Sequence, residues 1–204
     1  MHGSFIFRRS VMSSSGDALA SLEFFPWSRH FEVGIKEIDE QHKMLVKIVN
    51  RLVWHSVSAG PQSRVDQILD ELLSYANYHF TSEERIWNSA FGGATIARNH
   101  HDAHQMFFAQ IQTLRSSGQS KGQIMADLFD FLARWLAFHI LESDRRMAMT
   151  VKAVEQGASL DEARKQVDDQ LGGSGGELIS ALLEVYSKLS SSTAQLMREN
   201  LTRE

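Results

Sequence analysis

The sequence predicts an all-α protein, an antiparallel up-and-down four-helix bundle with an N-terminal arm and an extra C-terminal helix. Three observations carry this expectation. Apolar residues recur at spacings of three and four along most of the chain, the period-two alternation of strands is weak everywhere, and the only prolines among 204 residues are Pro26 and Pro61. With 43% hydrophobic residues, the chain can bury a full core.

Residues 1–23 read as a leader, followed by an arm whose Phe24, Phe25 and Trp27 are expected to pack across the helices. The first helix is read from His42, Leu45, Val46, Ile48, Val49, Leu52 and Val53, and stops near Gly60-Pro61. A second runs from about Ser63 through Ile68, Leu69, Leu72, Leu73 and Tyr75 to about Asn88, before Gly92-Gly93. The third begins near Thr95, carries Ile96, His100, His104, Phe107, Phe108, Ile111 and Leu114, and ends at Gly118. The fourth starts near Lys121 and continues through Met125, Leu128, Phe129, Leu132, Trp135, Leu136, His139 and Ile140 toward Val154 and Gly157. Short connections between four helices make the up-and-down bundle the economical arrangement for residues 24–157.

Residues 158–176 read as a linker, acidic and polar, then the run Gly172-Gly173-Ser174-Gly175-Gly176, a flexible joint by composition. Residues 177–204 form a further helix in which Leu178, Leu182, Val185, Leu189, Ser192 and Leu196 step by fours and threes, the a/d pattern of a coiled-coil seam. That pattern predicts a homodimer through this helix. The competing expectation is that the same stripe folds back on its own bundle, with Gly172–Gly176 as the hinge.

Net charge is only −4 and no stretch concentrates Lys and Arg among aromatics, so a nucleic-acid role is excluded. The absence of cysteine removes disulfides, thiolate nucleophiles and iron–sulfur centres. Arg8 and Arg9 follow the short apolar Phe5-Ile6-Phe7 with no long apolar segment after them, so neither a signal peptide nor a membrane span is expected, and a cytoplasmic location is.

Five of the nine histidines fall at inward-facing places on four different helices, accompanied by two carboxylates. One buried imidazole is ordinarily a satisfied core residue, but a cluster inside a bundle is costly without metal or partners. His79 and Glu83 are four apart and share one face of the second helix; His100 and His104 do the same on the third. His42 and His139 supply single imidazoles from the other two walls. Near His139 two carboxylates compete: Glu142 lies three residues on, while Asp144 lies five on, about 140° away on a regular helix. Spacing alone leaves both open. His101, three before His104, competes in the same way, and His2, His30 and His55 fall at no such place.

In order, Trp27, Val33-Gly34, Ile38-Asp39-Glu40-Gln41-His42, His79-Phe80-Thr81-Ser82-Glu83, His100 with His104, and His139-Ile140 with Asp144 resemble the hemerythrin family, especially its bacterial single-domain and sensor-attached members. The likeness spans about residues 24–155. It implies that His100, His104 and His139 complete one iron, that His42 and His79 hold another, and that Glu83 and Asp144 bridge them together with an oxo or hydroxo group. It therefore selects Asp144 over Glu142, which requires helix four to be locally unwound, a π-type bulge being the simplest form. Dioxygen is implied to bind on the iron of His42 and His79, in a pocket walled by Trp135 and Leu136.

The donor set carries its own chemical argument. Ferritin-like di-iron enzymes surround their metals with four Glu and two His, whereas five neutral imidazoles leave two ferrous ions net positive and favour the reduced state. No nucleophile–base pair or phosphate-binding loop appears, and the glycine run lacks the Lys and Ser/Thr of a P-loop. The expectation is therefore a binder and not an enzyme: a dioxygen or redox sensor input reporting to a C-terminal effector domain outside these 204 residues. A stand-alone oxygen carrier is the alternative, and a di-iron oxidase the least supported reading.

Overall fold

The structure, a computed structural model, describes residues 23–57, 62–172 and 174–201; the Gly60-Pro61 stop and all but the last residue of the 1–23 leader lie outside the described residues. After a 3-10 turn at Arg29–Phe31 come α1 (Lys36–Val57), α2 (Gln62–Phe91), α3 (Thr95–Arg115) and α4 (Lys121–Phe138). A π-helical segment, His139–Asp144, then joins α4 to α5 (Arg145–Glu155), and α6 (Leu160–Leu171) and α7 (Ser174–Leu201) complete the order. No strand occurs among the described residues.

α1 packs on α2 and α4, α2 on α3 and α5, and α3 on α4, forming a helical bundle around one apolar core. Buried Leu45, Val49 and Leu52 of α1, Leu69 and Leu72 of α2, Phe107 and Ile111 of α3, and Leu128 and Leu132 of α4 recur at the spacings that defined the helices. Glycines stop the chain where it turns: Gly92, Gly93 and Gly118 all have positive φ. Ser120 caps α4 by accepting from the Gln123 amide.

The arm is tied down at both of its ends. Phe25 is buried, and its backbone exchanges two hydrogen bonds with the Asn50 side chain, at 2.7 and 2.9 Å. The Asp39 carboxylate accepts from the amides of Val33 (2.7 Å) and Gly34 (3.0 Å), fixing the loop that enters α1. Gly34 has φ +82, and a side chain there would also run into Lys152.

Two expectations need correction. The stretch 158–176, expected as a linker ending in a flexible joint, is mostly helical, holding α6 and the start of α7. Ser159 and Glu162 form a reciprocal capping box, Lys165 pairs with Asp169 one turn on, and buried Ala163 and Val167 seat α6 against α5. Half-buried Leu160 and Leu171 extend the same face at the two ends of this short helix. Gly176 serves close packing instead of flexibility: a Cβ there would collide with the Leu171 carbonyl oxygen.

α7 does fold back, chiefly onto α4, and of the expected stripe Leu182 alone packs against the core. Its buried residues are Ile179, Tyr186, Ser190, Thr193 and Ala194. Tyr186 packs on Phe25 and Phe31 and donates its hydroxyl proton to the Pro26 carbonyl, while Ser190 donates to Asp130 at 2.8 Å. The a/d residues Leu178, Val185, Leu189 and Leu196 remain 50%, 59%, 37% and 60% exposed. Among the described residues, no helix is long and apolar enough to cross a membrane.

Candidate metal centre

Four walls of the bundle each deliver imidazoles to one buried point: His42 from α1, His79 from α2, His100 and His104 from α3, and His139 from the π-segment. With Glu83 and Asp144 these seven side chains are almost wholly buried, His100 being the most exposed at 5%. The π-segment explains the awkward five-residue step. Its i→i+5 bonding brings residue i+5 back above residue i, so His139 and Asp144 face the same way. Asp144 is inside the centre, whereas half-buried Glu142 turns away to pair with Arg146 at 2.6 Å.

The two carboxylates are each split between the same two groups of histidines. Glu83 Oε1 lies 3.4 Å from His79 Nε2 and 3.8 Å from His42 Nε2; its Oε2 lies 3.1, 3.5 and 3.6 Å from Nε2 of His104, His100 and His139. Asp144 Oδ2 lies 3.1 Å from His42 Nε2, and its Oδ1 3.1 and 3.3 Å from His139 and His100. Two overlapping donor sets result, Glu83 with His100, His104 and His139, and Glu83 with His42, His79 and Asp144.

These donors fit cations better than they fit one another. Nε2 of His42, His79 and His100 and all four carboxylate oxygens are buried without a hydrogen-bond partner in the protein. Each such group costs about 1–3 kcal/mol, and more when charged. His104 and His139 point their Nε2 atoms at each other across 3.2 Å, an arrangement that a shared cation explains more simply than a proton does.

Burial draws the His79 imidazole down to about 3, outweighing Glu83, and holds His139 well below the ordinary range, so both offer neutral lone pairs. Burial also opposes protonation of His42, but the nearby Asp144 and Glu83 carboxylates win and push it to about 9. Burial together with the Glu83 charge raises Asp144 to about 6. Glu83 is held well below the usual carboxylate range, because the surrounding histidines outweigh its burial.

A surrounding layer aims the ligands, and sequence reasoning missed it. The His79 Nδ1–H donates to Gln41 Oε1 at 2.9 Å, and Gln41 in turn donates to Ser82 at 3.1 Å. Glu84 Oε1 accepts from Nδ1 of His104 at 3.0 Å and of His101 at 2.9 Å. Each contact leaves Nε2 of the inner histidine facing inward. His101 thus lies at the surface side of Glu84, outside the centre. Phe80 stacks on His104 at 3.9 Å and Trp135 on His139 at 4.1 Å. Gln41 and Glu84 adjoin His42 and Glu83 in the chain; that adjacency was the available signal, but their partners sit on other helices. Trp135 and Leu136 line an apolar crevice of about 10 Å³ with Leu45, Val49 and Phe80.

Residues 33–151, more than half of the chain, match the family model of the Hemerythrin HHE cation binding domain. The chain belongs to the hemerythrin family. Its relatives include a Bacteriohemerythrin of Pseudomonas aeruginosa (strain LESB58), 28% identical over 149 residues, covering 69% of this chain and 95% of that protein. A Bacteriohemerythrin of Stenotrophomonas maltophilia is 30% identical over 62% of this chain and 81% of its own length. A Hemerythrin-like protein of Naegleria gruberi is 31% identical over 60% of this chain and 89% of its own. No solved structure matches the chain. A hemerythrin domain implies non-haem iron binding, and the two buried donor sets of this chain are able to hold metal. Helices α6 and α7 lie beyond the matched segment.

Proposed function

We propose that this hemerythrin-type domain, arranged as an antiparallel up-and-down four-helix bundle, binds dioxygen reversibly at a di-iron centre and serves as an oxygen or redox sensor input in the cytoplasm. His100, His104 and His139 would hold one iron, His42 and His79 the other, and Glu83 and Asp144 would bridge them. The observation that carries this reading is the division of both carboxylates, each with one oxygen toward each histidine group. When bound, the irons supply a reversible electron exchange with dioxygen that no side chain offers. Gln41 and Glu84 hold the inner histidines with Nε2 inward, and Trp135 and Leu136 keep water from the crevice beside them.

A sensing role is favoured over a stand-alone carrier by α7. It lies along α4, the helix that leads into His139, and leaves Leu178, Val185, Leu189 and Leu196 of its a/d stripe exposed. A homodimer through that stripe, or an effector domain beyond it, would receive the signal. An oxidase activity has no such support. Optical spectra of the reduced, iron-loaded protein test the binding claim: air should raise a near-ultraviolet to visible charge-transfer band that vacuum removes. A fully iron-loaded protein with no band, or with one that never reverses, overturns it. Val185→Glu with Leu189→Glu should convert a dimer to a monomer in sedimentation; a monomer before the substitutions removes the dimer from the account.

A further inference from the structure

A cavity of about 430 Å³, separate from the iron ligands, opens where the 3-10 turn, the π-segment, α5, α6 and α7 meet. Its volume is within the range of small-molecule pockets. Buried Leu141 and Ile179, with half-buried Met149 and Leu182, make its body apolar. Its polar residues are Arg29, His30, Arg145 and Gln170, and no Asp or Glu lines it.

Arg145 is the informative member. One Nη donates to the carbonyls of His30 and Glu32, which anchors the guanidinium group of this cavity-lining residue. An apolar chamber with two guanidinium groups and no carboxylate is complementary to a ligand with an apolar tail and an anionic head.

We propose that this cavity binds an unbranched medium-chain carboxylate, its chain against Leu141, Met149, Ile179 and Leu182 and its head group on Arg145, assisted by Arg29. Such a ligand would bridge α7 to the π-segment, one residue from Asp144. The proposal does not depend on dioxygen binding.

Calorimetric titration of the full iron-loaded chain with decanoate, kept below its micelle concentration, tests it. One saturable site per chain is expected, with decanol binding at least tenfold more weakly. Saturation should raise the melting temperature by roughly 5 °C. Arg145→Gln should weaken binding at least tenfold and Arg29→Gln about threefold, while Met149→Glu, which puts a carboxylate among the apolar contacts, should abolish it. Arg134→Gln, outside this cavity, should leave affinity unchanged. Arg29→Gln and Met149→Glu should both keep full helicity and iron content, so that lost binding is not lost folding. Decanoate that never saturates, decanol that binds equally well, or undiminished affinity in Met149→Glu would each overturn the proposal; the last would place the fatty acid on the exposed α7 stripe.

Discussion

The rod running from α4 through the π-segment into α5 and the helix α7 beside it both interrupt an apolar stripe with polar residues, and the interruptions do opposite things. On the rod, His139 and Asp144 turn inward at 2% and 0% exposure, and the helix abandons regular geometry to align them. On α7 the inward polar residues are ordinary: Ser190 is satisfied by Asp130, while large apolar side chains point outward. Polar groups whose lone pairs converge without partners are the mark of a site. Exposed apolar groups in register mark a surface for another molecule.

The site that the rod completes should therefore be the more fragile of the two. Glu83→Gln removes charge from both donor sets at once. We expect it to leave less than half the iron and, at roughly 3–5 kcal/mol for breaking a buried charge network, to lower the melting temperature by about 10 °C. Full iron retention by atomic absorption would mean that Glu83 is not shared. Leu136→Ala should keep its iron but oxidise in air several-fold faster, because water gains access to the crevice. An unchanged autoxidation rate would reduce Leu136 to a core residue.

On the other side of the comparison, Gly176→Ala tests whether the glycine run is a packed joint or a loose one. The collision with Leu171 should cost about 1–3 kcal/mol, read as lower thermal stability. A loose joint would be unaffected or slightly stabilised. The smallest effect is expected at His101→Ala, since this residue only shares Glu84 with His104. Iron content should stay within error of the parent, and a loss as large as that of His100→Ala would put His101 in the centre.

The contrast also marks what the sequence could disclose. Helical periods and the spacings His79 to Glu83 and His100 to His104 are local, so the four long helices and the members of the cluster were legible. Asp144 was not legible from regular helical geometry, because the π-segment that brings it into line is itself the departure from that geometry. The resemblance supplied it. α6 is short, and its inward face of Leu160, Ala163, Val167 and Leu171 is a weak signal among so many charged and polar residues. On α7 the a/d pattern stands out in the sequence, but the buried residues include Tyr186, Ser190 and Ala194, whose hydroxyl groups or small size carry little hydrophobic signal. Gln41 and Glu84 act across helices, which spacing within one helix cannot show.

The central claim is that two donor sets sharing Glu83 hold a pair of irons. The most direct test is the metal-to-chain ratio of the purified 204-residue chain after iron supplementation, by inductively coupled plasma mass spectrometry against quantitative amino-acid analysis. The account predicts about two irons per chain, falling together when Glu83 is replaced; one iron per chain, or zinc alone, would contradict it.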